Sequence, residues 1–518
     1  MESNREIELK LTVAPDDAER ILDHPLLRSP AAAAPEVLSL HTVYFDTRDR
    51  ALAEAGVGLR LRRDGARQWQ TVKLGDRSAA GLFDRTEIEF ELPGERPDLL
   101  AIPDDDVRER LIGIVAEQPL EPVYETRFER AIRRVADDVG EWSFCLDRGE
   151  IRAGFAQEPI CEIELENHSG PPSHLFDVAL ELALDLPLAP ALRSKAERGE
   201  RLCSGEPLGA ARAEAIELAE DVRAGAAIAV IARACLAQIG ENAELVATRE
   251  DPEPVHQMRV GLRRMRALIA LVRREVPSAR IGRLRGGLRT LAGLLGDVRD
   301  LDVFIAQRID PLLRLRSDDL ALTVLREEAV ALREDRRTAL RATLRSGRPA
   351  RLLLELGRWA AALEEIDGAE ADGQGPLGRR ADVFARTALG RLDRKARKQA
   401  ATALVGSPAA RHDFRIALKK LRYAAEFFRS LYGRKASKRH LRRLGRLLDL
   451  LGAQNDVETA QQLIPILLER CPPERAVELA RAAGIVEGHA IAEQERSLAE
   501  LERRWQRFEA AGRFWQPD

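Results

Sequence analysis

Aromatic residues are scarce in this sequence, 4% of 518. That argues against a lectin-like or base-stacking surface, which needs ring faces. Cysteine is scarce too. Cys145, Cys161, Cys203, Cys235 and Cys471 are scattered, odd in number and without Cys/His ligand spacing. A disulfide framework and a structural zinc site are therefore not expected. No uncharged apolar run of about 18 residues occurs, so no transmembrane helix and no membrane partner are expected. The opening MESNREIELK has no basic–apolar–small leader pattern, and the cytoplasm is the expected location. Net charge is only −3, which by itself predicts no polyanion partner. No Gly-rich phosphate loop is present.

What is present divides in two. Up to about residue 203, short alternating runs recur at 5–13, 38–46, 56–63, 67–74, 82–91, 122–135, 141–151 and 158–167. Turn signals such as Asp64-Gly65 and Pro93-Gly94 separate some of them. Eight strands with hairpin-like links predict a closed antiparallel barrel, which leaves no exposed edge. After a linker over 204–214, β-type alternation stops and helical periodicity runs through 215–510. The expected class is α+β multidomain: an eight-stranded β-tunnel with flanking helices, then an all-α region of two tandem bundles.

The polar faces of the strands carry both signs. Glu6-Ile7-Glu8-Leu9-Lys10 places Glu6, Glu8 and Lys10 on one pleat. Arg60 and Arg62 share a face, Lys73 and Arg85 follow, and Glu125-Thr126-Arg127-Phe128-Glu129 supplies Arg127. Asp147 comes next, then Glu162-Ile163-Glu164, then Lys195. Such strands taken singly are ordinary solvated faces. Together they would line a lumen with acidic and basic walls, which suits a polyphosphate bridged by Mg²⁺ or Mn²⁺.

In this order the residues resemble the CYTH superfamily of triphosphate tunnel metalloenzymes over about 1–203. The resemblance implies a metal-dependent inorganic triphosphatase. It also implies roles: Glu6, Glu8 and Glu164 for one metal ion, and Lys10, Arg60, Arg62, Lys73, Arg127 and Lys195 for phosphates. Asp147 and Glu162 would hold a second metal or the attacking water. Arg85, Glu87, Glu89 and Glu166 match the pattern less closely. Tyr44-Phe45-Asp46-Thr47 is read as structural.

The helical half repeats itself. His256-Gln-Met-Arg259 matches His412-Asp-Phe-Arg415, and Leu294-Leu-Gly-Asp matches Leu450-Leu-Gly-Ala. Both matches have one offset: 412 − 256 = 156 and 450 − 294 = 156. Two units, about 215–345 and 376–510, are predicted to pack about a pseudo-twofold axis. His256, Arg259, Arg263 and Arg266 share a helix face, as do His412, Arg415, Lys419 and Arg422. From Arg259 to Arg289 ten basic residues meet one acidic, and from Arg411 to Arg446 thirteen meet two. Nucleic acid is the obvious competing polyanion, but aromatics for stacking are few and no DNA-binding motif is present, so none is expected. This half resembles the CHAD domain, which implies two four-helix bundles around a basic cavity and binding of inorganic polyphosphate by the eight named residues; a tether to long polyphosphate or to polyphosphate granules is a further hypothesis. Two alternatives stay open: a non-catalytic polyphosphate-binding protein, and a hydrolase of an organic triphosphate such as thiamine triphosphate.

Overall fold

The computed structural model describes residues 5–28, 34–65, 67–75, 78–276, 278–369, 375–404, 406–510 and 512–516. The chain forms two compact units: residues 1–209 with 346–362, and residues 210–345 with 363–518.

The first unit is a barrel. Its strands are β1 (Arg5–Thr12), β2 (Glu36–Asp46), β3 (Val57–Asp64), β4 (Arg67–Leu74), β5 (Ser78–Ala79), β6 (Leu82–Glu91), β7 (Glu121–Ala136), β8 (Glu141–Ala153), β9 (Ala156–Asn167) and β10 (Ala189–Pro190). Eight of them run β1-β9-β8-β7-β2-β3-β4-β6, every pair antiparallel, and β1 pairs with β6 to close the ring. The short β5 and β10 extend it at β6 and β1. All eight runs read from the sequence are barrel strands. Closure pairs every edge, so two charged faces can coexist without an exposed ladder.

The barrel is polar within over much of its length. Leu9 and Leu11 of β1 are fully buried on the outer side, as is Ile163 of β9, while Glu8, Lys10 and Glu164 turn inward. Helices α1 (Pro15–Leu22), α2 (Ala51–Glu54), α3 (Asp105–Val115) and α4 (Ser173–Leu182) flank the strands. At one end Leu40, Tyr44, Tyr124, Phe128, Ile151 and Ile160 form an apolar cluster, and Ala196 and Leu202 of α5 (Lys195–Ser204) pack on it. Gly199 lets α5 lie this close, because a Cβ there would sit 2.3 Å from the Tyr124 ring.

The second unit is helical: α6 (Ala224–Thr248), α7 (Pro252–Glu275), α8 (Ala279–Phe304), α9 (Asp310–Leu315), α10 (Leu320–Arg345), the end of α11 (Arg348–Ala369), α12 (Ala381–Ala403), α13 (Pro408–Phe428), α14 (Arg434–Arg470) and α15 (Ala476–Glu509). The repeat is explicit. Helices α7 and α13 begin at the same repeat position, since 408 − 252 = 156. Both start with a capping side chain followed by proline: Asp251 accepts from Glu253 N, Ser407 accepts from Ala410 N, and Pro252 and Pro408 take N1.

A short antiparallel bridge joins Arg223 and Arg380. Ala224 N donates to Arg379 O and Ala381 N donates to Val222 O. The donors are related by 224 + 157 = 381 and the acceptors by 222 + 157 = 379, so the contact is isologous and lies on a local twofold axis. Helix α6 is long and apolar enough to cross a membrane by composition, but 67% of that stretch is buried in the structure. It behaves as the core helix of its unit.

Candidate functional site

The register explains the lumen. Opposite pairs across β1 and β9 are Glu8↔Glu166, Lys10↔Glu164 and Thr12↔Glu162. Across β1 and β6 Glu6 faces Arg85, across β4 and β6 Lys73 faces Glu87, and across β7 and β8 Arg130 faces Asp147. Residues directly opposite share a face, so charges of both signs are driven together. The result is a cavity of about 390 Å³ lined by Glu6, Glu8, Lys10, Arg60, Arg62, Lys73, Arg85, Arg130, Glu164, Glu166 and Lys195, among others.

Its ion pairs are dense. Lys73 Nζ donates to Glu6 (2.8 Å) and pairs with Glu87 (3.0 Å). Arg85 Nε donates to Glu6 (2.9 Å), and its other nitrogen reaches Glu8. Arg130 grips Asp147 through two bonds of 2.7 Å and also contacts Glu164 and Glu166. Lys195 stands at the first position of α5, where Ser194 and Glu197 form a reciprocal capping box. That cap aims Lys195 at Asp147 (2.7 Å), Glu162 and Glu164 (2.9 Å).

Burial would push the Glu164 carboxyl up, but Lys10, Lys195 and Arg130 overcome it and hold it well below the usual carboxylate range. Glu6 is likewise held down against burial by Lys73 and Arg85. Glu166 goes the other way: burial and then the neighbouring Glu164, Glu8 and Glu6 raise it despite Arg130. Burial and then Arg60 and Arg130 lower Arg62. The Nε atoms of Arg60 and Arg62 and the Thr126 hydroxyl are buried without a hydrogen-bond partner. Unmet guanidinium donors in a lumen are what an anion would satisfy.

Two carboxylate groups can each hold a cation: Glu8 with Glu164 and Glu166, and Asp147 with Glu162 and Glu164. All offered donors are hard oxygens, which fit a divalent metal ion. Glu6 falls in neither group; the structure engages it with Lys73 and Arg85.

Arg127 is a correction. It does not line the lumen; its side chain is 53% exposed and pairs with Glu125 on the outer face, where Glu125 also meets His41 at 2.7 Å. Strand β7 turns the other set inward, Thr126, Phe128 and Arg130. Arg130 was missed because Phe128 gives that set an apolar look, and the lumen was expected to be polar. The register opposite Asp147 was the available signal. Tyr44, read as structural, belongs to the buried apolar cluster and stacks on Tyr124 at 4.5 Å, and it also lines the cavity. Asp46 and Thr47 are structural, accepting the backbone N–H groups of Ala51, Leu52 and Ala53. Arg198, bonded to Glu162 at 2.9 Å and to Glu158, is a further addition.

The helical unit has its own cavity, about 790 Å³, lined by His256, Arg263, Arg264, Arg415, Lys419, Arg422, Arg429, Lys438 and Arg442 with Glu214, Glu426 and Asp449. Of the eight residues expected there, five line it: His256, Arg263, Arg415, Lys419 and Arg422. Arg259 is held by Asp300 at 2.8 Å, and His412 pairs with Glu458 at 3.3 Å. Arg266 is not among the residues that line it; burial and then the charges of Arg285 and Arg289 lower its pKa. One helix face is not one site. Ten residues from His256 to Arg266 advance about 15 Å along the axis, which separates the ends of the stripe. The Asp456 side chain lies outside the described residues.

Burial, then Arg415, Arg263 and Arg259, push Lys419 down to about 7, and Asp300 opposes only weakly. The unfolded chain therefore binds this proton more tightly than the folded one. Lys419 lowers stability below its folded value, and the penalty fades as pH rises toward the ordinary lysine range. Lys419→Met should raise the unfolding temperature of the helical unit at about pH 6 by several degrees and by much less at about pH 10. An equal gain at both pH values in a thermal melt would disprove this account.

Comparisons with known proteins agree with this geometry. The CYTH domain family matches residues 4–199 and the CHAD domain family matches residues 230–465. A curated protein of Haemophilus influenzae, described as an inorganic triphosphatase, is 29% identical over 205 residues. That match covers 39% of this chain and 55% of the relative, so the chain spans about half the length of the curated relative. The crystal structure of the CHAD domain from the plant Ricinus communis is 30% identical with a TM-score of 0.52, and the match covers 60% of this chain and 99% of that one.

Proposed function

Because the chain belongs to the CYTH and CHAD domain families, we propose that its barrel hydrolyses inorganic triphosphate to diphosphate and phosphate, and that its helical unit binds inorganic polyphosphate. The observation that carries the first half is the lumen. It combines two three-carboxylate groups with cations on several strands, and leaves the Nε donors of Arg60 and Arg62 unmet. The second half rests on the basic cavity around Arg263 and Lys419.

Phosphoanhydride cleavage needs positioning and charge neutralisation more than covalent chemistry. Arg60, Arg62, Lys73 and Arg130 hold the phosphate row. Lys10 and Lys195 are paired with Glu164 and would be available to phosphate oxygens once that carboxylate held a metal. Glu8 with Glu164 and Glu166, or Asp147 with Glu162 and Glu164, would hold the divalent ion, which when bound would supply charge neutralisation and polarisation of the terminal phosphoryl group. Glu162 and Asp147 orient the attacking water and accept its proton. The new phosphorus–oxygen bond forms as the bridging bond breaks, and diphosphate leaves with the bridging oxygen.

The test is a substrate panel with Mg²⁺ and Mn²⁺. Tripolyphosphate turnover should exceed turnover of thiamine triphosphate and ATP by about tenfold or more, since the doubly charged lumen lining suits a bare phosphate chain. Absence of hydrolysis under any metal would leave a binding protein with a silent tunnel. The helical unit would then act as a tether to long chains or granules, and deletion of residues 215–518 should abolish polyphosphate affinity.

A further inference from the structure

Helix α5 brings three cations against β9. Lys195, Arg198 and Arg201 recur every third residue, so they are neighbours along the helix surface. On β9, Glu158, Glu162 and Glu164 share one face of the strand. The two sets interleave. Lys195 contacts Glu164 (2.9 Å) and Glu162; Arg198 contacts Glu162 (2.9 Å) and Glu158 (2.7 Å); Arg201 contacts Glu158. They form one alternating chain, Glu164–Lys195–Glu162–Arg198–Glu158–Arg201. Its first two members line the lumen. Side-chain exposure is 2% at Glu162, 16% at Arg198 and 32% at Arg201, so the chain runs outward toward solvent.

Its links are not equal. The outer pair of Arg201 and Glu158 is partly exposed and contributes little. At Glu162 the charge is buried and needs partners. Its two oxygens are divided: Oε1 accepts from Lys195 and Oε2 accepts from Arg198. Lys195 is shared with Asp147 and Glu164. Arg130 serves Asp147, Glu164 and Glu166. Among the described residues Glu162 has no third cation. Arg198 itself is held at three points: Nε donates to Glu158 at 2.7 Å, Nη1 to Glu162 at 2.9 Å, and Nη2 to the Pro159 carbonyl at 2.5 Å. A planar fork bonded through all three nitrogens cannot turn without breaking several bonds at once.

Lys195 faces the lumen, so an arriving phosphate can draw it away from Glu162. Arg198 is not among the residues that line the lumen, and it keeps its hold. We propose that Arg198 is a positioning residue: by fixing Oε2 it sets the Glu162 carboxylate with Oε1 on the Lys195 side, where the attacking water is oriented. It touches neither substrate nor water and acts through Glu162 alone. This rests on the reading that the barrel hydrolyses triphosphate.

The test compares full-length Arg198→Gln, Arg198→Lys and Arg201→Gln by kcat and KM for tripolyphosphate, each beside a thermal melt. Arg198→Gln should lower kcat about thirtyfold and leave KM within about twofold, because orientation is lost and phosphate binding is not. Arg198→Lys keeps a charge for Glu162 but not the fork, and should recover about threefold of that loss. Arg201→Gln cuts the same chain at its exposed end and should leave both constants within about twofold. If Arg198→Gln does not fold, Arg198→Lys against Arg201→Gln carries the comparison. A rise in KM that accounts for the whole loss would place the effect on Lys195 and phosphate binding, and overturns the positioning role. So does an equal loss of kcat from Arg201→Gln, or kcat within about twofold of the parent in folded Arg198→Gln. No hydrolysis by the parent protein removes the underlying reading instead.

Discussion

Glu164→Gln is expected to lower triphosphate turnover by about a thousandfold while the protein stays folded. Glu164 is the residue common to both carboxylate groups, so one substitution takes an anionic oxygen from each. It is also the residue on which Lys10, Lys195 and Arg130 converge. Removing its charge leaves those buried cations short of a partner, a loss on the order of 3–5 kcal/mol when nothing compensates. The amide keeps an acceptor for the lysines, which softens that loss. A stable domain holds roughly 5–15 kcal/mol in reserve, so the functional loss outruns the structural one at room temperature. Glu162→Gln touches only one group and should cost less. The check is Mn²⁺ titration by calorimetry beside turnover and a melt. Retention of turnover within about tenfold in a folded Glu164→Gln protein would remove Glu164 from metal binding. The pH sense follows from the same pairs. A carboxyl held low in the folded state adds stability above the ordinary glutamate range, and that stability drains away as pH falls through its folded value.

The second large effect separates two arginines three residues apart. Arg130→Ala should cost about a hundredfold in turnover and lower the melting temperature by roughly 6–12 °C. Its guanidinium holds Asp147 through two 2.7 Å bonds and reaches Glu164 and Glu166, with its side chain only 10% exposed. Arg127→Ala should change turnover by less than about twofold and stability by less than about 0.5 kcal/mol. Arg127 stands outside the barrel with Glu125. Paired assays of the two variants decide the matter, and a larger loss from Arg127→Ala would reverse the assignment.

Why the sequence misled at this one strand is instructive. Alternation made the barrel legible: the eight runs are the eight ring strands, and Glu6, Glu8, Lys10, Arg60, Arg62, Lys73, Glu164 and Lys195 all reached the lumen. Along most of the ring, charge points inward and the apolar residues pack outside. In β7 that polarity fails, because the lumen becomes apolar under α5 and Phe128 belongs inside with Arg130. Both phases of β7 carry charge, so composition alone cannot choose between them. The helical half shows a related limit. An offset of 156 residues identifies equivalent helices from the sequence, yet it does not tell which cations face the axis. That depends on how α7 and α13 cross, and it sent Arg266 and His412 away from the shared cavity.

The lumen binds its own salt. Seven cations line it, and nearly all of its carboxylates are already matched to them: Glu6 with Lys73, Glu8 with Arg85, and Glu164 with Lys10. Seen as chemistry, such a lining is an ion exchanger in its self-neutralised form. Metal alone must evict a lysine from a carboxylate, and triphosphate alone must evict a carboxylate from a lysine. Each eviction prepares the place of the other ligand, so metal and triphosphate should bind cooperatively, each tightening the other by the same factor.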